Sequence, residues 1–269
     1  MSRKNLELEM RDARELGAAG YSRWFRAVEI ASIGAFFSLT ALVALRAWPF
    51  VRTMPWVLLA ASISGFIVAD FVSGFVHWAA DTWASVDTPV LGKALLRPFR
   101  EHHVDPKAMT LHDYIETNGS NCLIAVPWAT GALFIPLNVE GWQGAGLFAM
   151  TTIGSMIFWV MMTNQIHKWS HFEQHELPAI VRWAQRLHLV LPPTHHDIHH
   201  TAPFDRYYCI TTGWLNWPLT KLGFFRHLER VVTAVTGLVP RQDDIGLKAA
   251  LEIAPVVPEE KSERIAGFR

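Results

Sequence analysis

The sequence predicts an all-α, multi-pass membrane protein: about four transmembrane helices carrying a histidine-rich helical cap on the cytoplasmic side. Three observations predict it. Four apolar runs approach the ~20 residues that a helix needs to cross a bilayer core. Of the 24 lysines and arginines, residues 1–26 hold six, 79–121 hold four and 165–269 hold twelve, leaving only Arg46 and Arg52 for the other side. All 13 histidines fall on that same basic side or at the mouth of a span.

Residues 1–26 read as a polar arm that ends in Trp24-Phe25-Arg26, an interfacial anchor. Its mixed charges do not make a cleavable signal peptide. The first run, Ala27 to Ala47, is charged only at Glu29 and Arg46, and Trp48-Pro49-Phe50 then forms an aromatic turn at the far interface. The second run, Trp56 to Trp78, contains one charge, Asp70. An ionisable group inside a span faces the bundle and has a partner. After a polar stretch, 79–121, comes the third run, Cys122 to Leu137, interrupted by Pro127 and Pro136. Those prolines predict a kinked or re-entrant segment. The fourth run is Gly144 to Asn164. This divides the chain into an arm (1–26), a membrane domain (27–245) and a charged tail (246–269). The positive-inside rule puts both termini in the cytoplasm, across a bacterial inner membrane or the endoplasmic reticulum of a eukaryote.

Several function classes drop out early. Formal net charge is zero, so no basic field invites nucleic acid. Two cysteines, Cys122 and Cys209, cannot build a disulfide framework. The chain contains no HExxH, GxSxG or GxGxxG.

What remains is histidine. Leu191 to Thr201 packs His195, His196, His199 and His200 into six positions. On a helix, His195 and His199 share a stripe with His196 and His200 beside it, all within about 140° of the surface. His167 and His171 stand i, i+4 at the end of the fourth run, as do His77 and Asp81 at the end of the second. Asp81 is a candidate ligand, or an acceptor that orients His77. Asp70 is assigned a structural or orienting part. His102 and His103 form an adjacent pair, and Asn118, Asn121 and Asn164 are ligands or histidine partners, the second being favoured. His112 ranks lower, His175 faces solvent, and His188 and His227 are lone histidines. A single zinc takes three or four ligands, so this set is too large for one metal. Two redox metals with open positions fit the number better, and iron suits imidazole ligands.

Six stretches carry a family resemblance: His77-Trp-Ala-Ala-Asp-Thr-Trp83, Arg97-Pro-Phe-Arg-Glu-His-His103, Glu116-Thr-Asn118, Thr163-Asn-Gln-Ile-His-Lys-Trp-Ser-His171, His195-His-Asp-Ile-His-His200 and Tyr208-Cys-Ile-Thr-Thr-Gly-Trp-Leu-Asn216. Over roughly residues 60–245 the chain resembles the Kua/CarF-type plasmanylethanolamine desaturases, which include a plant plastid lipid desaturase. The resemblance implies a membrane di-iron enzyme that uses O2 as co-substrate and two electrons. Its animal and myxobacterial members convert the 1-O-alkyl ether of a phospholipid to the vinyl ether of a plasmalogen. It carries the metal role to His77, His102, His103, His167, His171, His195, His196, His199 and His200. Asp81, His112, Asn164 and His188 are the accompanying catalytic candidates, and His112 and His188 match the ether-lipid branch.

The expected partners are a phospholipid in the bilayer and a separate electron donor, cytochrome b5-like or ferredoxin-like. Arg97, Arg100 and Lys107 are candidates for its phosphate. A fatty-acyl desaturase or hydroxylase with the same site is the near alternative. A metal transporter is the distant one, since transporters place their ligands near the bilayer midplane.

Overall fold

The computed structural model describes residues 23–83, 106–201 and 204–240. The described residues are helical, with no strand. Four long helices form the bundle: α1 (Arg23–Ala47), α2 (Pro55–Trp83), α3 (Tyr114–Leu133) and α4 (Gln143–Ser170). Four short ones follow: α5 (Ala179–Arg186), α6 (Pro193–His196), α7 (Asn216–Lys221) and α8 (Phe224–Thr236). The arm up to residue 22, the tail, and the candidates Arg97, Arg100, His102 and His103 lie outside the described residues.

Local sequence sets the ends of the long helices. Trp48–Phe50 forms a 3-10 turn after α1, and α2 begins on Pro55, whose missing N–H costs nothing at a first turn. Asp113 caps α3, accepting the N–H groups of Ile115 and Glu116 at 3.0 Å each. The third apolar run therefore belongs to a helix that starts eight residues before Cys122, passes through Pro127 and stops short of Pro136. Polar residues fill its first turns, and this hid its true start from hydropathy.

Among the described residues three elements are long and apolar enough to cross a membrane: α1 with its following turn, α2 and α4. The 20-residue α3 packs between α1 and α4. Outward-facing Phe37, Leu42, Leu59, Ile63, Ile67 and Val76 are exposed, as a lipid-facing band requires. Trp48, Trp56 and Trp142 are exposed at one end of the bundle, and Trp24 and Trp217 at the other, the two aromatic belts of a membrane protein.

The α2–α4 pair positions the site. Both helices run in the same direction, because Gly65 meets Ser155 and, twelve residues further on each helix, His77 meets His167. The contact is close. A Cβ on Gly65 would fall 2.4 Å from the Thr152 carbonyl oxygen, and the Ser155 hydroxyl donates to the Ser62 carbonyl at 2.7 Å. Small residues let the backbones approach where lipid gives no hydrophobic push. In consequence His77 and His167 emerge side by side at one end of the bundle.

Candidate metal centre

Among the described residues two groups of donor atoms meet at that end. The first is His167, at the end of α4, with His171 that caps it, His196 of α6 and His200 in the turn that follows. The second is His77 and Asp81, one turn apart on α2, with His199. Within each group the ligand atoms all lie within 4.8 Å of one another. The groups are neighbours: the His77 ring lies 5.5 Å from that of His167, and the His196 ring 5.7 Å from that of His199.

In the four-histidine group the Nε2 atom of His196 lies 2.8 Å from that of His167, 3.1 Å from that of His171 and 3.0 Å from that of His200. One ring nitrogen carries either one proton or one lone pair, so it cannot hydrogen-bond to three others. Nitrogens around a tetrahedral metal at 2.0–2.1 Å sit about 3.3 Å apart. The convergence is that of a cation cradle. Burial, reinforced by the surrounding histidines, holds the His196 imidazole well below its ordinary pKa, so it stays in the neutral form that binds metal. Its Nδ1 is buried with no hydrogen-bond partner among the described residues.

The second group reaches the same conclusion through its outer hydrogen bonds. His77 Nδ1 lies 3.0 Å from the Tyr208 carbonyl oxygen and His199 Nδ1 lies 2.9 Å from that of Arg206. A carbonyl only accepts, so each Nδ1 carries a proton, and in the neutral, metal-binding form of each ring Nε2 carries the lone pair. Those lone pairs face Asp81 Oδ2 at 3.2 and 3.4 Å. Two such nitrogens and a carboxylate, all three side chains fully buried, make a donor set suited to a cation.

The carbonyls of Tyr208 and Arg206 are themselves anchored. Asp70 accepts the backbone N–H groups of Thr212 at 2.7 Å, Gly213 at 2.9 Å and Leu215 at 3.1 Å. The Asn216 amide bonds both backbone groups of Cys209, at 2.7 and 2.9 Å. Below them, Trp78 Nε1 donates to Glu229 Oε1 at 2.8 Å, and Arg226 binds both Glu229 and the Tyr208 hydroxyl. Burial pushes the Tyr208 phenol well above its usual range, which keeps it protonated.

The other candidates lie apart from the two groups. His195 packs its ring 4.9 Å from that of Tyr207 and against Gly213. Asn164 donates to the Thr117 carbonyl at 3.1 Å, Asn118 to Gln165 at 3.2 Å and Asn121 to the Val160 carbonyl at 3.0 Å, so all three tie α3 to α4. His112 is half-buried beside Glu116, His188 is exposed at a left-handed φ of 54°, and His175 and His227 are exposed. Lys107 pairs with Glu173 at 2.7 Å. Sequence reasoning missed Arg226 and Glu229, which connect to the site through Trp78 and Tyr208. A Glu one turn and a half inside a short amphipathic helix gives no signal of that.

Comparison with known proteins accords with this geometry. The lipid desaturase domain matches residues 66–243. The chain is 54% identical over 252 residues to plasmanylethanolamine desaturase of Myxococcus xanthus, covering 93% of this chain and 87% of that one. It is 46% identical over 246 residues to plasmanylethanolamine desaturase 1 of Mus musculus, covering 87% and 86%. With the chloroplastic fatty acid desaturase 4 of Arabidopsis thaliana it shares 30% identity over 181 residues, 67% of this chain and 53% of the plant protein. No solved structure matches it.

Proposed function

The chain belongs to the lipid desaturase family, and on that premise we propose that it is a plasmanylethanolamine desaturase, which turns the 1-O-alkyl chain of an ether phospholipid into a 1-alkenyl chain. The observation that carries this reading is the pair of adjacent buried donor groups at one end of a membrane bundle. Six imidazoles and one carboxylate suit two iron ions. Bound iron supplies, from O2 and two electrons, the oxidising power that an unactivated C–H bond requires and no side chain has.

The chain's own residues do the rest. The Tyr208 and Arg206 carbonyls hold His77 and His199 in the tautomer that presents Nε2. Burial keeps His196 neutral, and the fully buried His77, Asp81 and His199 exclude water from their side of the site. His171 and His200 are only half-buried, so the four-histidine group is the more open of the two. The substrate loses two hydrogens, one from each of the first two alkyl carbons, and O2 leaves as two waters. Half of the electrons come from the lipid and half from a separate donor protein, cytochrome b5-like or ferredoxin-like. His102 and His103 complete the ligand set in this reading, with Asn164, His112 and His188 in supporting roles. Both termini lie in the cytoplasm, an orientation supported by the lysine and arginine asymmetry.

The test is direct. Purified protein in lipid nanodiscs, given iron, O2, a reductant system and an alkyl-ether phosphoethanolamine lipid, forms an acid-labile vinyl ether. An acid-stable double bond in an acyl chain would instead assign the protein to acyl desaturation, the activity named for its plant relative.

A further inference from the structure

Beside the second donor group lies a cavity of about 180 Å³, walled by Asp205, Arg206, Leu219, Thr220, Phe225 and Arg226. We propose that this cavity is the headgroup subsite. It takes a phosphate diester bearing a primary ammonium, the phosphate against Arg206 and Arg226 and the ammonium against Asp205. The assignment rests on the desaturase reading and names the part of the chain that recognises the polar end of its lipid.

Four observations converge on it. The charges are complementary to a zwitterion, two guanidiniums and one carboxylate, with Arg206 Nε 3.7 Å from Asp205 Oδ1 and therefore only loosely paired. Arg226 directs Nη2 to Glu229 and the Tyr208 hydroxyl; its Nε and Nη1 are buried with no acceptor among the described residues, so a phosphate reaches them only as the guanidinium turns toward the cavity. A guanidinium offers five donors in a fork that matches phosphate, and most of this fork is unspent.

The distance to the metal groups also fits the lipid. Tyr208 bridges the two sites, its hydroxyl on Arg226 and its ring 5.2 Å from the ring of His199. In an alkyl-ether phospholipid six bonds separate phosphorus from the first alkyl carbon, roughly 7 Å at the ~1.2 Å per bond of an extended chain. A phosphate in the cavity therefore puts the reacting carbons near the metal groups. Finally, Asp205 and Arg206 sit between two non-glycine residues in the left-handed region, Phe204 at φ 59° and Tyr207 at φ 64°. Strain of this kind persists where the surroundings enforce it, commonly at ligand sites. The same turn offers the Arg206 carbonyl to His199 and the Arg206 side chain to the cavity. Outside, Trp217 and Leu222 of the α7 segment are exposed, at the level of a bilayer interface.

The experiment uses the full-length, iron-loaded protein in nanodiscs, with Arg206→Gln and Asp205→Asn beside the wild type. Binding of short-chain alkyl-ether lipids with ethanolamine or choline headgroups is read by calorimetry, and turnover is read on the same lipids. We expect Arg206→Gln to raise Kd and KM roughly tenfold for both lipids, with iron content as in the wild type. Asp205→Asn weakens the ethanolamine lipid more than the choline lipid, whose quaternary ammonium has charge but no N–H to donate. Unchanged Kd and KM in both variants overturn the proposal. So does displacement of soluble phosphoethanolamine or inorganic phosphate that depends on Arg206 while lipid Kd and KM stay constant, since the cavity then takes a free anion. Headgroup binding that depends on Arg206 without any vinyl ether formed upholds the subsite and removes the desaturase reading instead.

Discussion

His77 and His199 aim at one atom. Their rings lie 4.4 Å apart, and both Nε2 atoms face Oδ2 of Asp81 while both Nδ1 protons are held by backbone carbonyls. Around a cation this arrangement is a three-donor site. Asp81→Asn removes the charge and keeps the shape. We expect iron to fall from about two per chain to about one and conversion to drop roughly 100-fold or more. The metal-free variant should unfold no earlier than the metal-free wild type, because a neutral amide costs less to bury than a carboxylate. Metal analysis, lipid turnover and thermal unfolding check this, and two retained irons with full turnover would refute the site.

Glu229 gives the cap a pH signature. Burial pushes its carboxyl up to about 7, against the pull of Arg226 and the Trp78 N–H. A carboxyl whose pKa is raised on folding stabilises most below its unfolded value of 4.5, and that contribution is lost as pH rises through about 7. Glu229→Gln removes the titration. The difference in Tm between pH 5 and pH 8 should shrink in the variant by the equivalent of roughly 1–3 kcal/mol, a few degrees. Thermal unfolding across that range reads it; an unaltered difference would leave Glu229 ionised throughout.

Asp70 holds the loop that carries the carbonyls. Asp70→Ala leaves the N–H groups of Thr212, Gly213 and Leu215 without their acceptor in a buried setting. At about 1–3 kcal/mol for each of the three unsatisfied groups the loss should be at least roughly 3 kcal/mol. Asp70→Asn, which keeps one acceptor oxygen, should lie between. Denaturation of the purified variants orders them, and iron retention should follow the same order, since Tyr208 heads this loop.

Much of this was legible in the sequence. The bundle came from the apolar runs, and the pairing of His77 with Asp81 and of His167 with His171 came from the i, i+4 spacing that a helix imposes. The partition into two groups was not legible. It depends on α2 and α4 running parallel, which brings His77 beside His167, and on a turn that sends His199 to one group and His196 and His200 to the other. Spacing cannot encode a contact between segments. Nor did it reveal that Asp70 reaches across to residues 212–215, because a single charge in a span states that it has a partner and not which one.

His195 separates helical periodicity from the observed geometry. A continuous helix over 191–201 would place it on the stripe of His199. Instead α6 is four residues long, and the chain then tightens: the His199 N–H bonds the His196 carbonyl at 2.9 Å and the His200 N–H bonds the same oxygen at 3.2 Å. This turn carries His199 into the carboxylate group and leaves His195 against Tyr207 and Gly213, where an added Cβ on Gly213 would fall 2.9 Å from its ring. His195→Ala should therefore keep both irons and lose only packing, about 1–2 kcal/mol. His200→Ala should lose the iron of the four-histidine group while folding normally. Parallel metal analysis and thermal unfolding of the two variants decide the matter, and loss of iron from His195→Ala would return this histidine to the ligand set.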